Sequence, residues 1–361
     1  MARFHPLEVA EVRRETADCV SVRFAVPPHL ADTFLGFRAG QHLVLRLVRD
    51  GEELRRTYSI CTPEGSGELR IAVKRQPHGR VSGWLNEALR PGDVLEVSPP
   101  LGRFGIDFDP GRRAHYVAFA AGSGITPVIS ILETALRREP ESHFTLFYGN
   151  RNTRSIIFRE RLEDLKDVHR ERFALFHVLS AETAEGMEHF TGRITPEKVR
   201  FWAGRLFDPQ EVDAFFLCGP APMIQDLADT LADLGVPRAR IRYEYFTPEG
   251  NRPRSAAPAG ATDPVAGGTA RVVVILDDER HEFDMPRGGP SILEAAREHG
   301  LDVPFSCTAG VCATCRARLR EGRVEMAENY ALEDWEIARG EILTCQARPV
   351  TERVVVDYDA T

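Results

Sequence analysis

The chain has 361 residues, of which 43% are hydrophobic and 28% charged, as expected for a globular protein of two or three domains. Its net charge of −8 argues against a nucleic-acid partner, and no apolar run reaches the roughly 18 residues that a membrane span requires. The charged opening MARFHPLEVAEVRRE has no apolar signal-peptide core, so we expect a cytoplasmic protein without a membrane partner.

Residues 1–107 are predicted to form an antiparallel β-barrel. Short β-like runs alternate there with Gly and Pro turns such as PGD, which is typical of antiparallel strands. The runs are CVSVRFAV, HLVLRLV, LRIAVKR and VLEVSPP.

Residues 108–246 show a different pattern, in which strands and helices alternate. The strand-like runs are HYVAFAA, HFTLFYG, RFALFHVLS and DAFFLCG, and the clearest helical stretches are PVISILETALRR and MIQDLADTLADLG. This alternation predicts βαβ units on a parallel sheet, and therefore an α/β domain.

Residues 247–269 are rich in Pro, Gly and Ala and lack apolar periodicity, which predicts a linker. In the following domain, 270–361, RVVVILDD and HEFDM predict a hairpin, SILEAAREHG predicts a short helix, and a cysteine loop follows. This last domain carries 18 acidic residues against 11 arginines and no lysine. The acidic excess indicates either a solvated face or a docking surface for a basic partner.

Four of the seven cysteines lie in the last sixty residues, with the spacing C-x4-C-x2-C and a distant fourth cysteine. They are Cys307, Cys312, Cys315 and Cys345. The spacing is that of plant-type [2Fe–2S] sites, in which four thiolates hold two irons. The alternative is a Cys₄ zinc site, but such sites usually contain two separate C-x2-4-C pairs, and only one CxxC occurs here.

With this motif, residues 270–361 resemble a plant-type ferredoxin domain, which implies a β-grasp fold. The segment NYALEDWEIARGEILTCQARP, residues 329–349, is similar to the corresponding segment in the reductase subunits of phenylacetyl-CoA epoxidase complexes. Trp335 stands where that family is expected to have a smaller or polar residue, so it could alter the local docking surface.

Two strand-to-helix turns in the α/β domain are candidates for binding a nicotinamide nucleotide. GSGITP, residues 122–127, lets the backbone approach a pyrophosphate at a helix N-terminus, and CGPAPMI, residues 218–224, joins another strand to a helix. Together they resemble the GxGxxP and CGPxPM motifs of the ferredoxin–NADP reductase superfamily. The resemblance implies a binding site that includes Gly122, Gly124, Thr126, Pro127, Gly219 and Pro220. It also implies that Cys218 lies near the nicotinamide ring, although a buried structural cysteine is the alternative.

The segment after HFTLFYG contains Arg151, Ser155 and Arg159, and no acidic residue immediately follows the strand to bind a ribose 2′-hydroxyl. Arginines suit a 2′-phosphate, so the sequence favours NADPH, with NADH as the alternative.

A nicotinamide gives up two electrons as a hydride and a [2Fe–2S] cluster accepts one, so the chain needs a flavin, which handles both. Arg56-Thr57-Tyr58-Ser59 resembles the superfamily's RxYS flavin motif. The resemblance implies that Arg56 binds the pyrophosphate, that Tyr58 packs on the flavin and that Ser59 lies near N5. Two further flavin-binding elements are implied at Val73, Lys74, Gly79, Val81 and Ser82. The Gly79-x-x-Ser82 spacing favours FAD, with FMN as the alternative.

In the superfamily an aromatic side chain at the end of the nicotinamide domain covers the flavin where the nicotinamide stacks. Phe246, in the segment YEYF, is the candidate, against the alternative that it only packs in the core. The catalytic residues expected from the resemblance are therefore Ser59, Cys218 and Phe246.

The resemblance covers nearly the whole chain and implies an electron-transfer reductase. We expect it to pass electrons from NADPH through FAD and the cluster to the di-iron oxygenase of phenylacetyl-CoA epoxidation, in phenylacetate degradation. Three alternatives remain: a reductase for a Rieske dioxygenase or a steroid hydroxylase, a free-standing flavin reductase, and a zinc-stabilised binding protein without enzymatic activity.

Overall fold

The computed structural model describes residues 4–49, 51–183, 186–246 and 268–360. They fall into two compact units, 4–246 and 268–360. Most of the predicted linker, residues 247–267, lies outside the described residues, and Thr269 begins the first strand of the second unit. The domain boundaries at 107, 246 and 269 stay a prediction.

The first unit begins with six antiparallel strands in the order β4-β3-β6-β1-β2-β5. Their bounds are β1 His5–Thr16, β2 Cys19–Ala25, β3 His42–Arg49, β4 Glu52–Ser59, β5 Leu69–Lys74 and β6 Val94–Val97. A bridge between Ile60, the residue after β4, and Ile71 of β5 connects the two edges and closes the sheet. The predicted antiparallel barrel is therefore confirmed. Two short helices accompany it, α1 Ala31–Leu35 and α2 Arg80–Glu87.

The rest of the first unit is a five-stranded parallel sheet in the order β11-β10-β7-β8-β9. The strands are β7 His115–Ala121, β8 His143–Asn150, β9 Phe173–Leu179, β10 Ala214–Gly219 and β11 Ile241–Tyr245. The helices are α3 Ile125–Arg138, α4 Arg159–Val168, α5 Pro196–Trp202 and α6 Ala221–Asp233. The predicted α/β architecture is therefore confirmed.

Strand β7 lies at the centre of this sheet and contributes to hydrophobic cores on both of its faces. Val117 and Phe119 belong to one buried cluster, whereas Ala118 and Ala120 belong to the other. Successive side chains of a strand point to opposite faces, so a doubly covered strand reads as a continuous apolar run. From β7 the chain adds β8 and β9 on one side and then β10 and β11 on the other, so the strand order reverses between the neighbours β7 and β10. Sheets of α/β proteins bind ligands at such switch points.

The second unit is a mixed sheet in the order β13-β12-β18-β14-β16, beside a small ladder of β15 and β17. Its elements are β12 Thr269–Leu276, β13 Glu279–Pro286, α7 Ile292–Glu298, β14 Arg316–Glu321, β15 Val324–Met326, α8 Asp334–Ala338, β16 Glu341–Leu343, β17 Ala347–Pro349 and β18 Arg353–Asp357. The predicted hairpin is β12–β13, and the predicted helix α7 begins with a capping box between Ser291 and Glu294. The β-grasp prediction is confirmed.

Within the described part of the chain, no helix has the length and apolar character needed to span a membrane.

Candidate functional site

The cysteine loop leads into strand β14 and presents three of the four thiols. Thr308, Gly310 and Ala313 have positive φ angles of 53°, 73° and 53°, so the backbone coils tightly around the sulfurs. At Gly310 a Cβ atom would lie 2.9 Å from the carbonyl oxygen of Glu328, which explains why this position needs glycine. The fourth thiol, Cys345, follows strand β16.

The four thiols influence one another's pKa in two pairs, Cys307 with Cys312 and Cys315 with Cys345. The Cys312 thiol and backbone N–H groups, including those of Ala309 and Cys312 at 3.4 Å, lower the pKa of Cys307 to about 5. A low pKa favours the thiolate, which is the form that binds metal. Three cysteines of the loop and Cys345 after β16 are the donor set for a two-iron cluster, so these residues fit a [2Fe–2S] group.

Polar side chains surround these thiols and hold the loop. The Gln346 amide donates to Cys345 Sγ at 3.6 Å and to the carbonyl oxygen of Thr308 at 2.9 Å. The Thr344 hydroxyl donates to the carbonyl oxygen of Cys315 at 2.9 Å and accepts a hydrogen bond from the Tyr358 hydroxyl at 2.8 Å. Such outer contacts orient metal ligands and tune a cluster.

Trp335 lies on α8 of the same unit with 53% of its surface exposed. The Arg339 guanidinium lies 4.9 Å from its ring centroid. The side chain is therefore on the surface, where the family resemblance implies a different residue type.

The predicted flavin residues of the barrel lie on β4, β5 and the start of α2. Arg56 is exposed, Thr57 and Tyr58 are half-buried and Ser59 is buried. Tyr58 packs against the barrel core, and burial raises the pKa of its hydroxyl, so it stays protonated. Val73 is in the barrel core, whereas Lys74 is half-buried at the end of β5.

Helix α2 supplies the third predicted flavin element, and its N-terminus has the features of an anion-binding turn. Gly79 is the N-cap, and a Cβ atom there would overlap Ser82 Oγ. Ser82 Oγ accepts the backbone N–H of Gln76 at 3.1 Å, and Val81 is buried in the core. Free N–H groups at a helix N-terminus suit a phosphate, so these residues fit the pyrophosphate of FAD.

The two glycine turns of the sheet touch each other at the switch point. A Cβ atom on Gly124 would overlap the carbonyl group of Cys218, and one on Gly219 would lie 2.6 Å from Met223 Cε. Tyr148, from β8, donates a hydrogen bond at 2.9 Å to the carbonyl oxygen of Gly122. The two turns therefore pack together and form one surface at the carboxyl ends of β7 and β10. Their residues fit the pyrophosphate of a dinucleotide.

Other predicted nucleotide residues have local roles in these turns. The Thr126 hydroxyl donates to the carbonyl oxygen of Ser123 at 3.0 Å, and Pro127 is the third residue of α3. Pro220 is the N-cap of α6. Lys74 of the barrel places a positive charge next to the first glycine turn. Its Nζ lies 3.8 Å from the position that a Cβ atom on Gly122 would occupy.

Ser59 of the barrel meets Glu244 of β11, and this contact joins the predicted flavin and nicotinamide sites. The Ser59 hydroxyl donates to Glu244 Oε2 at 3.3 Å, and His42 Nδ1 lies 3.5 Å from Glu244 Oε1. Cys218 is opposite Glu244 in the β10–β11 register and is fully buried. Burial and the Glu244 charge raise the pKa of the Cys218 thiol, so it stays neutral.

Phe246 follows β11 and is half-buried against the core cluster that contains Cys218. The structure thus brings Ser59, Cys218 and Phe246 to the same junction of barrel and sheet. Their catalytic roles stay a prediction.

Sequence reasoning did not assign His42 or Glu244 to this junction. Glu244 could have been noticed, because it is the only charged residue in the segment YEYF that ends the domain. His42 gives no signal in the sequence, because its role depends on a contact across 202 residues that only the fold creates.

The arginine segment after β8 forms a 3₁₀ turn, Thr153–Ser155, with Asn152 as its N-cap. The predicted residue Ser155 completes a capping box with Asn152, and its hydroxyl donates to the Asn152 carbonyl oxygen at 2.7 Å. Arg151 is exposed, whereas Arg159 pairs with Glu163 at 2.8 Å.

Three family models match the chain in the order expected from its fold. The oxidoreductase FAD-binding domain matches residues 6–106, the oxidoreductase NAD-binding domain residues 119–229, and the 2Fe-2S iron-sulfur cluster binding domain residues 274–350. The cofactor predictions of FAD, a nicotinamide nucleotide and [2Fe–2S] are thus confirmed. The FMN and zinc alternatives are not supported.

Two curated proteins and one solved structure are similar to nearly the whole chain. One subunit of the 1,2-phenylacetyl-CoA epoxidase from Escherichia coli K12 is 43% identical, covering 100% of this chain and 99% of that protein. The ferredoxin reductase component of 3-ketosteroid-9-alpha-monooxygenase from Rhodococcus rhodochrous is 36% identical, covering 98% and 96%. Phthalate dioxygenase reductase has a TM-score of 0.60 at 25% identity, covering 98% of each chain. The chain therefore belongs to the ferredoxin–NADP reductase-like family of NAD(P)H-dependent flavin and iron–sulfur oxidoreductases that carry a C-terminal plant-type ferredoxin domain.

Proposed function

We propose that this protein is the reductase component of a multicomponent oxygenase, and that its acceptor is the di-iron epoxidase of phenylacetyl-CoA degradation. The observation that carries the choice of acceptor is the 43% identity to the phenylacetyl-CoA epoxidase subunit over the whole chain, against 36% to the steroid monooxygenase reductase. The two thiol pairs and the two nucleotide turns support the electron path itself.

When bound, the nicotinamide, FAD and [2Fe–2S] groups supply hydride transfer followed by single-electron transfer, so the protein need not supply a general acid or base. The chain's own residues bind and orient these groups. The turns at Gly122 and Gly219 receive the nicotinamide nucleotide, and Arg56 with the N-terminus of α2 receives the flavin phosphates.

Three side chains at the junction have proposed roles in the hydride step. Ser59 donates a hydrogen bond to Glu244, which fixes the hydroxyl where barrel and sheet meet. Cys218 is fully buried and its thiol stays neutral, so we propose that it places no charge beside the nicotinamide site. Phe246 is the ring that we propose covers the flavin until the nicotinamide displaces it.

We further propose that NADPH is the physiological donor, because Arg151 and Arg154 are exposed in the segment after β8 and suit a 2′-phosphate. A cytoplasmic location without a membrane or nucleic-acid partner also belongs to this proposal. The acidic net charge supports the absence of a nucleic-acid partner.

The first experiment is the visible spectrum of the purified protein before and after anaerobic addition of NADPH. Flavin and iron–sulfur bands that both bleach would support the electron path. A protein without either chromophore after cofactor reconstitution would contradict the proposed function.

The second experiment identifies the acceptor. The reduced protein is mixed with a purified di-iron phenylacetyl-CoA epoxidase or with a purified Rieske oxygenase, and substrate turnover is measured. Turnover with the di-iron enzyme alone is expected, whereas turnover with the Rieske enzyme alone would favour the alternative acceptor.

A further inference from the structure

A carboxylate from the segment after β9 lies within the predicted 2′-phosphate region. The segments that follow β8 and β9 continue side by side beyond the sheet. The Ser180 N–H donates to the Asn150 carbonyl oxygen at 3.0 Å, and the Ala181 N–H donates to the Arg151 carbonyl oxygen at 2.7 Å. This pairing places Glu182 beside the arginine segment.

Glu182 makes two hydrogen bonds to the turn that carries Arg154. Its carboxylate accepts the Thr153 N–H at 2.8 Å and the Thr153 hydroxyl at 2.6 Å. These two bonds from Thr153, together with the charges of Arg154 and Arg159, lower the pKa of Glu182, so it is ionised at neutral pH.

The positive charges of this region are therefore partly compensated before any ligand arrives. Arg159 pairs with Glu163, whereas neither Arg151 nor Arg154 has a carboxylate within ion-pair distance among the described residues. Glu182 is the carboxylate whose charge acts on both Arg154 and Arg159. A phosphate entering here would meet the attraction of the arginines and the repulsion of Glu182.

We propose that Glu182 is a specificity-determining residue that weakens binding of the nucleotide 2′-phosphate and so narrows the preference for NADPH over NADH. This inference rests on the proposed nicotinamide function. The 2′-hydroxyl of NADH carries no charge, so the repulsion between Glu182 and a 2′-phosphate is present with NADPH and absent with NADH.

The competing explanation is that Glu182 has only a structural role and stabilises the Thr153 turn through its two hydrogen bonds. The two explanations predict different results for two substitutions. Glu182→Gln removes the charge and keeps an amide oxygen that can accept from Thr153. Thr153→Val keeps the charge and removes the hydroxyl bond.

The test uses the holoenzyme and measures dissociation constants of 2′,5′-ADP and 5′-AMP from competition with NADPH. These fragments differ only in the 2′-phosphate. Glu188→Gln is the matched control, because it removes an exposed carboxylate on the same segment away from Thr153.

We expect Glu182→Gln to bind 2′,5′-ADP about fivefold more tightly, with 5′-AMP unchanged, from the Coulomb energy of one charge opposite a dianion across solvent. Glu188→Gln and Thr153→Val should leave the ratio of the two constants within about twofold. Because Glu182 is exposed, the effect of Glu182→Gln should vanish in about 1 M salt, where the Debye length is about 3 Å.

An unchanged ratio of the 2′,5′-ADP and 5′-AMP dissociation constants in Glu182→Gln would overturn this inference. The same change of that ratio in Thr153→Val would also overturn it and would support a purely structural role for Glu182. These outcomes are distinct from failure of the proposed function, in which the wild-type protein would oxidise neither NADPH nor NADH.

Discussion

The Gln346 side chain makes two contacts at the cysteine site. One amide hydrogen points at the Cys345 sulfur and the other holds the carbonyl oxygen of Thr308, a residue in the left-handed region. The amide thus joins Cys345, the predicted fourth ligand, to the loop that carries the other three predicted ligands. At the scale of single residues, such outer contacts orient the ligands of a metal site.

Gln346→Leu should make the midpoint potential of the cluster more negative. An N–H group directed at a ligand sulfur stabilises the extra negative charge of the reduced cluster, and leucine removes it without a large change in volume. The potential is measured by spectroelectrochemistry, with the exposed Thr269→Val in β12 as the control. A potential equal to that of the wild type would show that the amide only holds Thr308.

At the scale of secondary-structure elements, the nucleotide site depends on how closely helix α3 begins beside strand β10. Gly124 is the N-cap of α3, and its Cα faces the carbonyl group of Cys218 without room for a methyl group. The φ angle of Gly124 is −60°, which any residue could adopt, so backbone conformation does not require glycine here. The close approach to Cys218 does.

Gly124→Ala should destabilise the first unit by about 1–3 kcal/mol, the usual cost of overpacking, and should weaken NADPH binding. Gly111→Ala is the control, because a Cβ atom there has only an ordinary contact, 3.5 Å from Asp109 Oδ1. Stability is measured by thermal unfolding, with flavin release as the signal, and nucleotide affinity is measured by titration with 2′,5′-ADP. A Gly124→Ala protein as stable as Gly111→Ala would contradict the close approach.

A second element-scale feature is the charge cluster that holds α8 and β16 to β14. Arg316 pairs with Glu336 at 2.6 Å and with Glu341 at 3.0 Å, and Arg318 pairs with Glu341 at 2.7 Å. Burial alone would raise the pKa of Glu341, but hydrogen bonds and charges from the two arginines outweigh it and lower the pKa.

Because the pKa of Glu341 is lower in the folded state, its contribution to stability is present above the unfolded value of about 4.3 and is lost as pH falls through the folded value. Glu341→Gln should therefore lower the opening free energy of β14 and β16 by about 1.5–3 kcal/mol at pH 7, the usual contribution of hydrogen bonds to charged groups, since it removes the carboxylate from the partly buried Arg318 and leaves Arg316 with Glu336 alone. The difference from wild type should shrink at about pH 3. Hydrogen exchange of the backbone amides in these strands measures the opening free energy. An equal difference between variant and wild type at both pH values would exclude a stabilising interaction between the Glu341 charge and the arginines.

At the scale of the whole molecule, the redox chemistry is divided between two compact units. The predicted flavin and nicotinamide residues all belong to the unit 4–246, whereas the four cluster thiols belong to the unit 268–360. Hydride transfer and delivery of single electrons to a protein acceptor are therefore separable by a substitution in one unit.

Cys312→Ser should abolish the cluster absorbance and electron transfer to the oxygenase, while NADPH still reduces the flavin at the wild-type rate. Serine is a poor cluster ligand, and the change lies outside the unit with the flavin site. Stopped-flow reduction of the flavin is the internal control, and oxygenase turnover is the second measurement. Unchanged turnover would support the free-standing flavin reductase alternative.

The sequence by itself determined the cluster, the two glycine turns and the class of each domain. The predicted ligands Cys307, Cys312 and Cys315 are local in the chain, and the apolar run HYVAFAA is buried on both faces, so spacing and periodicity were sufficient to identify the cluster domain and the parallel sheet. The helices α1 and α8, of five residues each, were missed because so few residues give no clear helical period, and α2, α4 and α5 were not predicted either.

Only the tertiary structure decided which distant side chains meet. Ser59 and Glu244 are 185 residues apart and touch because the barrel packs beside the end of β11. Thr153 and Glu182 meet because β8 and β9 are neighbours in the parallel sheet, which places the segments after both strands at one edge. Local motifs depend on chain spacing alone, whereas these contacts depend on strand order and packing, and no spacing in the sequence records either.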